Sequence, residues 1–279
     1  MKRLLEAVVI AALLLTATAA RATPSTVVWT PSTTYTQPYL VPHITYDTYF
    51  GERNGFSTDL GLTMGVIPDN KFVEGELGLD GFYPMLAPTP TGSNAGKFQT
   101  QNAFQFNGKL SLKEGALDAY APGLSVGIMN VGVTKDLNNF NIMYAVLGKT
   151  IGAYGSVGLG AYTGNNKLLV DFKRDGTFKK DETGLMASYT SPKFAVGTLG
   201  LKDISFAVDY MSGKNAFGAG ALGAILNFSD AIDVITGPVL FNNKYSATTS
   251  APPFSQTNFL WTVQLDVDID FARPKPTKT

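Results

Sequence analysis

The sequence predicts an all-β chain: a transmembrane, antiparallel, up-and-down β-barrel of about twelve strands. Three observations predict this fold class. Apolar and polar residues alternate along many segments of similar length, glycine and aromatic residues are abundant, and only 16% of the residues are charged. An average soluble protein carries about 25% charged residues. Low charge combined with alternation fits strands that turn one face toward lipid.

The N-terminal residues have the three parts of a secretory signal peptide. Residues 1–3 give a basic start, an apolar run follows at 7–15, and Ala20-Arg21-Ala22 has the small-x-small pattern of a cleavage site. We expect cleavage after Ala22, which makes residues 1–22 the signal peptide. The apolar run is shorter than the roughly 20 residues that a transmembrane helix needs. Because no later segment supplies such a helix, any membrane crossing must use strands.

The amino-acid composition excludes several classes of protein. The chain has no cysteine, which excludes disulfide frameworks, thiolate metal sites, cysteine nucleophiles and an N-terminal lipid anchor. Removal of residues 1–22 takes away three basic residues and one acidic residue, which leaves 19 basic and 21 acidic residues. This balance provides no basic field for nucleic acid. We predict no metal and no other cofactor.

Residues 261–271 show the clearest strand pattern. Successive strand residues point to opposite faces, so strict alternation gives one apolar face and one polar face. A soluble β-sandwich could also produce this alternation. A strand that ends on an aromatic residue close to the chain end is more typical of a membrane barrel. We interpret this segment as the barrel-closing strand, with its apolar face formed by Trp261, Val263, Leu265, Val267, Ile269 and Phe271.

The same alternation recurs upstream and predicts twelve strands, each close to the roughly 9–11 residues that cross a bilayer at a tilt. The three longest links all follow odd-numbered strands, which matches the long outer loops and short inner turns of membrane barrels. Strands five to eight have weaker patterns, so ten and fourteen strands are alternatives. The predicted strands are 39–50, 56–67, 72–83, 100–112, 123–133, 139–149, 152–163, 184–190, 202–211, 216–228, 232–241 and 259–271, and the long links are 84–99, 164–183 and 242–258.

The two ends of the barrel segment have different compositions. Residues 23–38 are rich in threonine and contain three prolines, which disfavour a central strand. We interpret them as an extended leader that is either periplasmic or held in the mouth of the barrel, with Trp29 as a packing anchor. The barrel then spans residues 39–271, and residues 272–279 form a flexible, solvated tail.

Over its whole mature length the chain resembles the outer-membrane β-barrel, or porin-like, proteins. The Ala20-Arg21-Ala22 site, the alternating strands and the closing strand 261–271 carry this resemblance. In most members of the class the terminal aromatic residue ends the chain, whereas here eight residues follow Phe271. The resemblance implies the outer membrane of a Gram-negative cell, contact with outer-membrane lipid, and recognition by the barrel assembly machinery. Residues 239–244 and the closing strand also resemble a group of uncharacterised exported proteins, for which no activity is implied.

If the apolar faces meet lipid, the polar faces line the lumen. Carboxylate walls attract cations, and small inward residues such as Gly61, Gly65, Gly78 and Ala207 leave room for water. The leading hypothesis is therefore a small passive diffusion channel with a weak cation preference, which would pass small cationic or neutral solutes. Its predicted pore-lining residues are ten carboxylates and one lysine: Asp47, Asp59, Glu74, Glu76, Asp80, Lys109, Asp203, Asp209, Asp266, Asp268 and Asp270.

Three other functions are open from the sequence. Twelve strands lie between the roughly eight that fill their interior with side chains and the roughly sixteen that enclose an open channel. The chain could therefore be a non-conducting anchor or adhesion platform that binds partners through its long loops. Uptake of hydrophobic solutes would need an apolar inner face, for which Met143, Ala145 and Leu147 are candidates. A lipid-active enzyme would need the single histidine, His43, as its base. Without a nucleophile–base–orienter set, we predict no enzyme.

Overall fold

The structure is a computed structural model that describes residues 25–51, 56–83, 104–132, 141–165, 169–173, 177–243 and 259–271. The predicted signal peptide, the tail and most of the two long links at 84–99 and 242–258 lie outside the described residues. Within the described part of the chain, no helix is long and apolar enough to cross a membrane.

Twelve antiparallel strands form one closed sheet, which confirms the predicted fold class and strand number. They are β1 (Pro42–Gly51), β2 (Phe56–Gly65), β3 (Val73–Tyr83), β4 (Phe104–Leu112), β5 (Gly123–Val131), β6 (Ile142–Thr150), β7 (Ser156–Gly164), β10 (Thr183–Thr190), β12 (Asp203–Met211), β13 (Ala219–Asn227), β14 (Ile232–Phe241) and β15 (Phe259–Asp268). Three short strands lie in links between them. β8 (Val170–Phe172) pairs with β9 (Phe178–Lys180), and β11 (Phe194–Ala195) pairs with β12.

The barrel closes where the first and last strands meet. β1 pairs with β15 from His43↔Asp268 to Gly51↔Leu260. β10 also pairs directly with β12, across the link that carries β11. Each of the twelve strands therefore has two hydrogen-bonded neighbours, and the backbone polar groups are satisfied within the wall, as a bilayer requires.

The two faces of the wall have opposite character. Along β15, Thr262, Gln264 and Asp266 are buried, while Trp261 and Val263 face outward. The same alternation of buried and exposed residues runs along β4, β6 and β12. Large apolar side chains thus cover the outside and polar side chains fill the inside. This is the reverse of a soluble protein and the arrangement of an outer-membrane-type barrel.

The structure places the ends of the first and last strands differently from the prediction. The first strand begins at Pro42, because Leu40 has a φ of 55° and lies in a turn that separates the leader from the wall. The closing strand ends at Asp268, so Ile269 and Phe271 lie beyond it. The N–H of Ile269 still donates to the backbone carbonyl of Pro42 at 2.8 Å.

The structure turns the three candidate residues for an apolar inner face, which lie on the sixth strand, away from the lumen. Met143, Ala145 and Leu147 point outward, whereas Ile142 and Val146 are buried inside the barrel. Both faces of this strand carry apolar residues, so the alternation offered no polar contrast from which to identify the inner face.

Candidate functional site: the lumen and the leader inside it

Ten of the eleven predicted lining residues lie on the inward face of the barrel strands. The buried ones are Asp47, Asp59, Glu76, Asp80, Lys109, Asp203, Asp209 and Asp266. Glu74 and Asp268 lie near the rim where the chain enters and leaves the barrel, with 30% of each side chain exposed. Asp270 follows the end of β15 and is half-buried. These residues therefore lie inside the barrel or at its rim, and their role in lining a pore stays a prediction.

The leader lies inside the lumen. Of its residues, 25–38 are described, and they belong to no strand. Val28, Thr30 and Ser32 are at most 1% exposed, because the barrel wall surrounds them. This placement resolves the choice that the sequence left open between a periplasmic leader and one held by the barrel.

Both ends of the described leader bind one buried ion pair, Glu76 and Lys109, which we call the clasp. These residues face each other across β3 and β4, with 3.4 Å between Lys109 Nζ and Glu76 Oε1. Glu76 accepts hydrogen bonds from Ser25 N (2.9 Å), Ser25 Oγ (2.7 Å) and Gln37 N (2.7 Å). Lys109 Nζ donates to the carbonyls of Ser25 (2.7 Å) and Tyr35 (2.8 Å). The leader thereby satisfies the polar atoms that a buried ion pair needs to have bonded.

A second anchor, Asp209 on β12, holds the middle of the leader. Its Oδ2 accepts three successive main-chain N–H groups, from Val28 (3.0 Å), Trp29 (2.9 Å) and Thr30 (2.8 Å). The leader makes a turn here, since Val27 N donates to the carbonyl of Thr30 at 2.9 Å. Consecutive N–H groups in such a turn form a concave site for an anion, and here the anion is the Asp209 carboxylate.

The contacts of the leader follow the inner wall through a full circuit. From the clasp on β3 and β4, the leader passes β10, where Ser188 Oγ donates to the carbonyl of Ser32 at 2.5 Å. It continues past Asp209 to β15, where Gln264 Nε2 donates to the carbonyl of Val28 at 2.8 Å. It then returns to the clasp at Ser25. The leader is therefore a ring against the wall and constricts the lumen.

Inward glycines make space for the leader along this circuit. A Cβ built on Gly158 would lie 1.9 Å from the Ser32 carbonyl oxygen, and one on Gly65 would lie 2.3 Å from that of Gln37. Gly148 and Gly223 approach Thr34 and Val28 in the same way, at 2.6 and 2.7 Å. The space at Gly65 thus holds the leader backbone, where the sequence had suggested room for water. These glycines were the signal in the sequence that could have revealed the leader's track.

Trp29 anchors the leader as predicted, and its ring lies in an aromatic pocket. It makes edge contacts with Tyr49 at 5.7 Å and Phe241 at 5.4 Å between ring centroids, and it lies 6.2 Å from Phe217. Its Nε1 donates to the carbonyl of Phe217 at 2.9 Å. A buried tryptophan needs a partner for its N–H group, and this pocket supplies one.

Three carboxylates lie side by side on the first three strands. Asp47 on β1 is directly opposite Asp59 on β2, and Asp80 is on the adjacent β3. Asp47 accepts a bond from Tyr49 Oη at 3.1 Å, and Asp80 accepts one from Asn107 Nδ2 at 2.5 Å. Among the described residues, no group of three or more His, Asp or Glu is placed to hold a metal ion.

Lysines near the rim are paired with carboxylates. Lys113 Nζ lies 3.5 Å from Glu74, and Lys149 Nζ lies 2.9 Å from Glu114. Burial raises the pKa of Glu114, but hydrogen bonds from Lys149 and Thr150 outweigh it and hold the pKa below its ordinary value. Because these two lysines are paired near the rim, they do not offset the acidic residues deeper in the barrel.

The single histidine lies at the seam between β1 and β15. His43 Nδ1 is 2.8 Å from Asp268 Oδ1, and Nε2 is 3.4 Å from Asp266 Oδ1. Both ring nitrogens therefore face carboxylates. This arrangement suits a structural bridge across the closing seam better than a base poised against a hydroxyl.

Among the comparisons with known proteins, only the one with solved structures finds proteins similar to this chain. No family model matches the chain, and no curated protein matches it. The chain is similar to the crystal structure of the COG4313 outer membrane channel from Pseudomonas putida F1, at 12% identity and a TM-score of 0.41, over 82% of this chain and 94% of that one. It is also similar to Salmonella typhi OmpF in complex with daunomycin, at 9% identity and a TM-score of 0.36, over 82% and 96%. It is also similar to CdiB from Acinetobacter baumannii, at 7% identity and a TM-score of 0.33, over 84% of this chain and 61% of that one.

Proposed function

We propose that this chain is a small passive diffusion channel of the bacterial outer membrane with a weak preference for cations. The observation that carries the proposal is the charge of the interior. The described residues of the barrel strands include seven buried acidic side chains and one buried lysine. They are Asp47, Asp59, Glu76, Asp80, Asp203, Asp209 and Asp266, with Lys109. A narrow path enclosed by a low-dielectric wall and lined by one sign of charge concentrates ions of the opposite sign.

The leader explains why the channel is small. Its ring along the inner wall narrows a barrel whose strand number already lies below that of open porins. The solutes that fit this proposal are small cations and small neutral molecules. Larger anions are disfavoured by size and by the carboxylates together.

The proposed location follows from the outer face and the N-terminal residues. The outward side chains of the wall are apolar, so outer-membrane lipid is the proposed surrounding. Cleavage after Ala22 would release the mature chain for insertion by the barrel assembly machinery. The closing strand resembles the segment that this machinery recognises. Mass spectrometry of the mature chain tests the cleavage site directly.

Current across a planar bilayer under a salt gradient tests the channel. The mature chain should give discrete steps and a cation-selective reversal potential. The variant with Asp47→Asn, Asp59→Asn and Asp80→Asn should move the reversal potential toward zero, since it replaces three interior carboxyl groups by amides of the same size. Asp230→Asn is the matched control, because Asp230 lies in a turn at the rim and contacts Lys202. A triple variant that conducts with unchanged selectivity would refute the cation preference.

The leader inside the lumen also favours a second candidate, a non-conducting barrel that acts as an anchor or a binding platform. The long link after β7 builds a separate hairpin, β8–β9, beside a cavity of about 470 Å³. Its lining includes Asp171, Lys179, Lys180 and Lys214. If the folded chain passes no current with or without its leader, this second function replaces the channel.

A further inference from the structure

We infer that the leader is a displaceable gate, fastened by the Glu76–Lys109 clasp and by Asp209, and that its release opens the lumen. This inference rests on the proposed channel function and adds the regulation of that channel. Four features of the molecule support it, each independent of the others.

The leader is held to the wall by side chains. Among the described residues, 25–37 make no backbone-to-backbone hydrogen bond with a barrel strand, and the one such bond of this segment joins Val27 to Thr30 within the leader. The wall is complete without it, since β1 pairs with β15 and β10 with β12. Release of the leader therefore breaks no bond of the barrel ladder.

The charged groups that fasten the leader lie at two places on different sides of the lumen, in addition to the aromatic pocket that holds Trp29. The clasp binds the leader's two ends, at Ser25 and at Tyr35–Gln37, so its opening frees both ends at once. Asp209 then remains the principal anchor of the middle. These two anchors hold the leader by a few charge-assisted hydrogen bonds, and the Trp29 ring adds apolar contacts. None of these contacts belongs to the hydrogen-bond ladder of the sheet.

A fixed turn keeps the released leader attached to the rim. Leu40 N donates to the carbonyl of Gly65 at 3.0 Å, and Val41 N donates to that of Pro38 at 3.1 Å. Leu40 has a φ of 55°, the left-handed conformation of a chain reversal. The leader can therefore move about this turn and return to the same track.

The wall is shaped to the leader's track. Gly65, Gly148, Gly158 and Gly223 all lie where a side chain would collide with it. Displacement would expose the clasp and Asp209 to the lumen, and both carry carboxylates. The open state should therefore be wider and at least as cation-selective as the closed state.

A reversible tether tests this inference. The chain has no native cysteine, so Thr34→Cys with Gly148→Cys introduces the only thiols. A Cβ on Gly148 would lie 3.2 Å from Thr34 Cβ, close to the roughly 3.5–4.5 Å of a disulfide. The oxidised pair should hold the channel in its low-conductance state, and reduction should restore openings. The same double variant under reductant is the matched control, and Thr34→Cys alone under the same oxidant controls for side reactions of the oxidant.

Two further variants make the test independent of the tether. Deletion of residues 25–37 should give a barrel that stays open, with conductance raised about twofold or more because the lumen is wider. Glu76→Gln should raise the open fraction about tenfold, the change that corresponds to about 1.4 kcal/mol. Folding of each variant is checked by its migration in unheated detergent gels.

The outcomes separate the gate from the channel. If the oxidised pair opens as often and as widely as its reduced form, the leader is a fixed part of the wall and the gate is refuted while the channel stands. If the deletion barrel folds and passes no current, the channel itself is refuted.

Discussion

The main-chain N–H of Trp29 donates a 2.9 Å hydrogen bond to Oδ2 of Asp209, a residue 180 positions later in the chain. The same oxygen accepts the N–H groups of Val28 and Thr30. Hydrogen bonds to a charged group contribute about 1.5–3 kcal/mol each. One carboxylate on β12 thus fixes the conformation of the leader at its turn.

Loss of this carboxylate should free Trp29 from its aromatic pocket. Of the two tryptophans in the chain, Trp261 is exposed on the outer face and Trp29 is buried. In a Trp261→Phe background, Trp29 is the only tryptophan, and iodide should quench its fluorescence only weakly. Asp209→Ala should raise its quenching constant about twofold or more, because an unfastened segment samples solvent. Asp203→Ala, on the same strand and face, is the control. Continued shielding in Asp209→Ala would show that Asp209 is dispensable.

A side chain at Gly158 should expel the leader while the barrel still forms. The Cβ of Gly158→Val would lie 1.9 Å from the Ser32 carbonyl oxygen, and backbone atoms cannot yield as flexible side chains do. Chymotrypsin should then cut the folded variant after Trp29, as detected by mass spectrometry. Gly220→Val is the control, since the nearest atom to its Cβ is 3.6 Å away. Equal protection of Trp29 in both variants would contradict the leader's track.

Gly127 should be required for a different reason, the packing of one ring. A Cβ on Gly127 would lie 2.3 Å from Cζ of Tyr144, its partner across β5 and β6. Gly127→Ala should destabilise the barrel by about 1–3 kcal/mol, the usual cost of overpacking, and lower its unfolding temperature in detergent gels. Gly220→Ala should have little effect.

A double-mutant cycle checks this cause. Tyr144→Ala removes the ring, so Gly127→Ala should cost little more in that background. If the two losses simply add, the clash with Tyr144 is not the source of the effect.

The twelve strands could be predicted because a barrel wall enforces a period of two on each of them. β4, β12 and β15 show this well, since polar residues face in and apolar residues face out along their length. The inner face of β6 could not be identified from the sequence, because Ile142 and Val146 point inward beside the polar lining and both faces are apolar. It also placed the start of the seventh strand at 152, because the 3₁₀ turn at Gly152–Tyr154 leaves no mark in the alternation.

The leader's hydrogen-bond partners could not be predicted, because they are scattered through the chain. Glu76, Lys109, Asp209 and Gln264 face one lumen from different sides only after the wall has closed. Along the sequence, the charged residues among them look like a pore lining. In the structure all four hold the main chain of the leader, so the two carboxylates, Glu76 and Asp209, serve a purpose that composition does not separate from a pore lining.

The pairing of β1 with β15 also dictates an order of events during folding. These strands lie near opposite ends of the chain, so the wall closes only when residues 259–268 have arrived, and such distant pairing is slow. The leader's binding groups lie on strands from both halves of the wall. Its full set of contacts therefore exists only in a closed wall, and an unclosed sheet would present only part of the leader's track.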